Sequence, residues 1–246
     1  TELHIPPTVQ GVLAARIDHL STDEKELLHQ LSVIGRQFPV NLVKEIVFLS
    51  EAELYRLLAS LKTKEFLYEQ PAFPEVEYLF KHALSQEVAY STVLQDQRKL
   101  LHERTAMAME TLYHSSLEDH YDELAHHYRR SFNTKKAVIY LGLAGQQAIK
   151  RSAHKEAIRN LNIALELLKK LPDTPERMQH ELTLRIAQGV SLMATKGWAA
   201  PEVEHAYARA KELCQQVGEI TQLFEVVVGL WTFYLGRAEL PTARHL

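Results

Sequence analysis

Cysteine occurs once in 246 residues, at position 214. An internal disulfide is excluded, and the usage fits a reducing, cytoplasmic setting. Glycine and proline are sparse at nine each, which excludes collagen-like and linker-type chains. Long apolar runs are missing as well. The longest uncharged one, 226–236, is about half of the ~20 residues a membrane span needs, so no membrane partner is expected. No glycine falls in a G-x-x-x-x-G-K-[ST] cradle, and HExxH is absent. Charge of one sign is lacking too: 28 Lys and Arg face 31 Asp and Glu, a net of −3, which gives no bulk pull toward nucleic acid or anionic lipid. No secretory leader is read at the start. Both ends read as cut from a longer protein.

What is present is helical periodicity. After Pro6 and Pro7, Val9, Val12, Leu13, Ile17 and Leu20 are predicted to share one helix face. Ser21 with Glu24 forms a capping-box pattern before Leu27, Leu28, Leu31 and Ile34, and Gly35 closes that helix. A third helix is expected over about 40–48. Ser50 with Glu53 then opens a fourth, carrying Leu54, Leu57, Leu58 and Leu61.

The period then shortens to two. FLYEQ (66–70) and VEYLF (76–80) alternate around the Pro-marked turn PAFPE (71–75), which predicts a β-hairpin. Three helices followed by a two-stranded wing is the order of a winged helix, assigned to 21–82. Residues 83–116 read as connecting helices, one long helix covering about 95–114.

From 117 to 246 small and large residues recur at fixed offsets. Leu124, Ala125, Tyr128, Ala137, Leu141 and Ala144 fit one tetratricopeptide-like unit. Ala157, Leu161 and Ala164 repeat its second half, with Gly145 at the small position of the preceding helix. The helix over 134–151 then serves as second helix of one repeat and first of the next. Tyr207 and Ala210 mark a weaker copy, with Pro201 as a helix start and Gly218 as a stop, and Ala243 the start of another. The fold class expected is therefore mainly α: a winged-helix domain with one small β-hairpin, then a TPR-like superhelical array.

Candidate chemistry is thin. A DNA reader would carry unmatched Arg and Lys on its third helix, but here Arg56, Lys62 and Lys64 are matched by Glu51, Glu53 and Glu65. Residues 1–115 hold 11 basic and 16 acidic side chains, a local net of −5, which argues against nucleic acid as a partner. His120, Glu123 and His127 share a helix face, but with HExxH absent and no Cys nearby a solvated face is the reading preferred over a metal. His82 reads as a hydrogen-bonded buried imidazole in preference to a nucleotide sensor. Nothing singles out a nucleophile, so no catalytic residue, cofactor or metal is assigned to this chain.

IPPTVQGVLAARIDHLSTDEKELLHQLSVIGRQFP, EYLFKHALSQEVAYSTVLQDQRKLLHERTAMAMETLY and DELAHHYRRSFNTKKAVIYLGLAGQQA together resemble bacterial STAND-class signalling ATPases. The closest resemblance is to those in which a class III adenylate/guanylate cyclase domain precedes the ATPase and tetratricopeptide repeats follow it. The resemblance implies that residues 1–20 are a junction helix from an upstream ATPase module, that ATP binding and any cyclase lie before Thr1, and that more repeats follow Leu246. It implies an intramolecular contact with that module and a protein or peptide ligand on the repeats. The expected function is a non-catalytic regulatory and sensor segment. The alternative is the effector-sensing segment of a DNA-binding, maltose-activator-like transcriptional activator. A third reading, an enzyme hidden in the repeats, would need a convergent pocket of perturbed acids or bases.

Overall fold

The computed structural model describes residues 7–72 and 75–245, with side chains from Gln10 onward in the first helix. Val9 as a side chain, Pro6, and residues 73 and 74 of the expected turn lie outside the described residues. The chain is mainly helical, with thirteen α-helices and one three-stranded sheet among the described residues. It divides into two compact units, 1–115 with 130–132, and 116–129 with 133–246.

The first unit begins with α1 (Pro7–Asp18) and α2 (Thr22–Ile34). Leu13, Ile17 and Leu20 of the expected stripe are buried, but Val12 is 62% exposed. At about 100° per residue Val12 sits a quarter-turn or more from the line through the other three, so packing rejects it. The capping box at Ser21 forms in full: Glu24 N–H donates to Ser21 Oγ at 3.3 Å, and Ser21 N–H donates to Glu24 Oε2 at 2.8 Å. Strand β1 (Gln37–Pro39), α3 (Val40–Ile46) and α4 (Glu51–Thr63) follow. The second box is one-sided. Ser50 Oγ accepts from Glu53 N–H at 3.3 Å, while the Glu53 carboxylate lies 3.9 Å from Arg56.

β2 (Leu67–Gln70) and β3 (Glu77–Phe80) pair antiparallel as the hairpin pattern requires. The sheet also has a strand the sequence did not announce. β1 pairs antiparallel with β3, giving the order β1-β3-β2, with Tyr78 opposite Phe38 on one side and Glu69 on the other. Alternation along β3 buries Tyr78 and Phe80, and Phe80 meets Phe38 edge-on at 6.2 Å. These rings join Leu28, Leu31, Val43, Leu58 and Leu61 in one core.

Two residues after β3, α5 (Ala83–Thr92) starts and packs on α1 and α2, and α6 (Gln95–Leu112) packs on α2 and α3. These helices are part of the unit's body. Buried His102 on α6 meets Tyr90 on α5, Nε2 to hydroxyl at 3.0 Å, and the Arg104 guanidinium donates to the Ile46 carbonyl while lying over the Phe48 ring.

The second unit opens with a short 3-10 turn (Leu117–His120) and then α7 (Tyr121–Arg129), α8 (Thr134–Lys150), α9 (His154–Leu168), α10 (Pro175–Lys196), α11 (Pro201–Val217), α12 (Ile220–Gly236) and α13 (Leu240–Arg244). Short connections fold each helix back on its predecessor, and each packs on the next. Starts and stops follow the sequence. Asn133 and Thr174 accept N-terminal amides, Pro175 and Pro201 open α10 and α11, and Gly218 ends α11 in the left-handed conformation at φ 78°. Among the described residues no helix is long and apolar enough to cross a membrane.

Candidate functional site

Helices α8, α10 and α12 pack not only on their sequence neighbours but on one another in series, α8 on α10 and α10 on α12. Close approach of helix pairs depends on missing side chains. A Cβ at Gly145 on α8 would stand 2.9 Å from Leu161 Cδ2 on α9. At Gly189 on α10 it would stand 2.6 Å from Tyr207 Cζ on α11, and at Gly229 on α12 it would stand 2.6 Å from Tyr207 Cε1. The Tyr207 ring is thus held between two glycines on two helices.

All the residues singled out for repeat packing lie in the interior: Leu124, Ala125 and Tyr128 on α7; Ala137, Leu141, Ala144 and Gly145 on α8; Ala157, Leu161 and Ala164 on α9; Tyr207 and Ala210 on α11; Ala243 on α13. Tyr128 stacks on Tyr140 at 5.4 Å with planes 4° apart, and the Lys136 ammonium donates to its hydroxyl at 3.1 Å. Gly189 and Gly229 were missed. A glycine inside an otherwise apolar helical run was the signal, because it costs helix stability unless packing requires it.

The series of α8, α10 and α12 leaves a shallow groove of about 260 Å³ across all three helices. Ile149, Ile186, Ala187 and Val190 give it an apolar floor, and Gln146, Thr183, Gln222 and Glu225 supply polar edges. Gln179, one turn before Thr183, donates to Gln222 Oε1 at 3.3 Å and fixes that edge. Among the described residues that line the groove, Glu225 is the one charge. The arrangement offers apolar surface for burial, amides that can donate and accept hydrogen bonds, and a carboxylate that can meet one cation.

Around α10 from the groove, α10 and α11 are locked by a half-buried ion cluster. Arg209 on α11 donates through Nε and Nη2 to the two oxygens of Glu181 on α10 at 3.0 and 3.2 Å, and Arg185 lies 3.8 Å away. Burial, the largest influence, works against ionisation of Glu181, but the Arg209 hydrogen bonds together with the charges of Arg209, Arg185 and Arg177 outweigh it and lower the carboxyl's pKa. The same bonds raise that of Arg209.

The histidine readings change. His82 is exposed, not a buried imidazole. It stands where the chain leaves extended backbone (φ −130°, ψ 132°) to start α5, so its carbonyl is used to accept from Ser85 N–H at 3.0 Å and its ring points to solvent. His120 Nδ1 pairs with Glu123 Oε2 at 2.8 Å, while His127 is buried and meets His126 edge-on. Among the described residues no group of three His, Cys, Asp or Glu is placed to hold a metal. On α4 and its neighbours the cations are matched: Lys44 to Glu51, Lys62 to Glu69, Lys64 to Glu24.

No protein-family model matches the chain, and no solved structure matches it. The chain is similar to an uncharacterized protein of Rhizobium meliloti (strain 1021), 26% identical over 225 residues. The match takes in 90% of this chain and 22% of the relative, so the chain spans about a fifth of that protein's length.

Proposed function

We propose that this chain is a non-catalytic regulatory and sensing segment, in which a TPR-like array receives a protein or peptide and a winged-helix unit relays the occupancy. The groove across α8, α10 and α12 carries the reading, since it is the apolar, amide-edged surface on which a peptide can bury area without displacing the packing residues. The small–large pairs Gly145–Leu161 and Gly189–Tyr207 support α8–α9 and α10–α11 as repeat pairs, with α8 the first helix of its pair. The order helix–strand–helix–helix–strand–strand and the sheet order β1-β3-β2 support the winged helix. By the resemblance to STAND-class ATPases, the nucleotide module, and a cyclase where there is one, belongs to the longer polypeptide. A ligand on the array acts on that module only through different affinity for its two states.

Peptides selected by display against the chain would be measured by fluorescence anisotropy. Val190→Asp should weaken them at least tenfold without changing the melting temperature. Binding indifferent to Val190→Asp would overturn the groove. Micromolar ATP binding by the chain would overturn its place outside the nucleotide site, and tight, salt-steep binding to duplex DNA would favour a transcriptional activator instead.

A further inference from the structure

Helix α12 is unlike the other helices of its unit. Its 17 residues, ITQLFEVVVGLWTFYLG, contain one charged side chain, Glu225, and Glu225 lines the groove shared with α8 and α10. Val226, Gly229, Leu230 and Phe233 bury one face of the helix. The opposite face is also apolar but open: Ile220 is 82% exposed, Phe224 76%, Val228 43%, Trp231 47% and Leu235 37%. These five fall within roughly 80° of arc and run the length of the helix. A helix apolar on two opposite faces is normally enclosed on both.

We propose that this stripe is a self-association face, on which two copies of the chain pack their α12 helices antiparallel about a two-fold axis. Three observations favour a second copy. First, the stripe is nearly symmetric about its centre. Ile220 and Leu235 are equidistant from the midpoint between Val227 and Val228, and so are Phe224 and Trp231. An antiparallel two-fold therefore sets Phe224 against the other copy's tryptophan and the isoleucine against its leucine, as a self-complementary interface requires. Second, the stripe is uncharged, so a two-fold brings no like charges together, and antiparallel helix dipoles attract. Third, its exposed apolar area is roughly 500–600 Å², the upper end for a monomer's largest patch; a polar rim brings it near the ~800 Å² per partner of a stable dimer.

Sedimentation equilibrium of the whole 28.2 kDa chain tests this. A closed dimer of twice that mass is expected in the micromolar range. Phe224→Glu and Trp231→Glu should each weaken it at least tenfold with helical content unchanged, because both side chains are exposed. In a Cys214→Ser background, Val228→Cys should form a symmetric cross-link on mild oxidation, since position 228 lies beside the axis. A monomer up to about 100 μM would overturn the proposal and leave the stripe to some other helix pair. Mass that grows without limit, or a dimer untouched by both glutamate variants and not trapped by Val228→Cys, would overturn it equally.

Discussion

The Tyr207 ring rests directly on the backbone of Gly189, close enough that a single added carbon would stand 2.6 Å from Cζ. The ring cannot retreat, because Gly229 closes its other edge. Gly189→Ala should therefore destabilise the second unit by about 2 kcal/mol: with the ring held on both edges, overpacking costs the upper end of roughly 1–3 kcal/mol, and the better helix propensity of Ala returns somewhat less than 1 kcal/mol. Gly11→Ala is the control. It is a helix glycine with nothing within 4 Å of its would-be Cβ, and it should stabilise slightly. Both tryptophans, Trp198 and Trp231, belong to the second unit, so denaturant titration followed by fluorescence reads the first variant. Combined with Tyr207→Ala, the Gly189→Ala cost should shrink or vanish, a non-additivity that marks direct contact.

Glu24 predicts an acid-dependent weakness of the first unit. Burial would raise its carboxyl, but Lys64, Ser60 and the amide and hydroxyl of Ser21 hold it down at about 2, from an ordinary 4.5. A depressed folded pKa contributes stability that is complete above the unfolded value near 4.5 and disappears as pH falls through about 2. Glu24→Gln should cost on the order of 2 kcal/mol at pH 7, the half-exposed Lys64 being partly screened, and the gap to the parent should close between pH 4.5 and 2. Far-UV circular dichroism of urea unfolding at several pH values measures it. A gap constant with pH would mean the carboxylate matters only through shape.

Local chemistry was the part of the fold that could be read directly. Ser21, Ser50, Pro201 and Gly218 set helix ends through bonds or dihedrals that involve only near neighbours, so their positions announce them. β1 could not be read this way. Three residues ending in Pro39 have no period, and they are a strand only because β3 offers its free edge. His82 was misplaced for the same reason, its exposure being decided by which neighbouring element arrives, whereas Val12 stood off the line of Leu13, Ile17 and Leu20 by its own angle on the helix. The interior small residues were legible as a recurrence. The groove was not, since Ile149, Val190 and Glu225 come from three helices and meet only in the fold.

The Glu181–Arg209 pair should be costly to break and cheap to replace. Glu181 is 8% exposed, and both its oxygens are occupied by Arg209. Arg209→Met strands a carboxylate whose other cation, Arg185, is 3.8 Å off, and should cost roughly 2–3 kcal/mol. Adding Glu181→Met removes the stranded charge, and the double variant should recover more than half of that loss. The readout is again the fluorescence-monitored unfolding midpoint. Simple additivity of the two changes would show that the pair does not couple α10 to α11.

Cys214 reports on whether α11 stays enclosed. Its side chain is 2% exposed, and burial, helped by the nearby Glu219 carboxylate, pushes the thiol's pKa up. Thiolate is the reacting form, so both effects slow alkylation. In native chain at pH 8 a thiol reagent should react at least a hundred times more slowly than with free cysteine, the rate following the fraction of molecules in which α11 and α12 have opened. Gly189→Ala, by loosening the Tyr207 contact, should speed labelling by the factor its stability loss dictates, about thirtyfold for 2 kcal/mol. Glu24→Gln, in the other unit, should leave the rate unchanged. If both variants accelerate labelling alike, the two units open together and not one at a time.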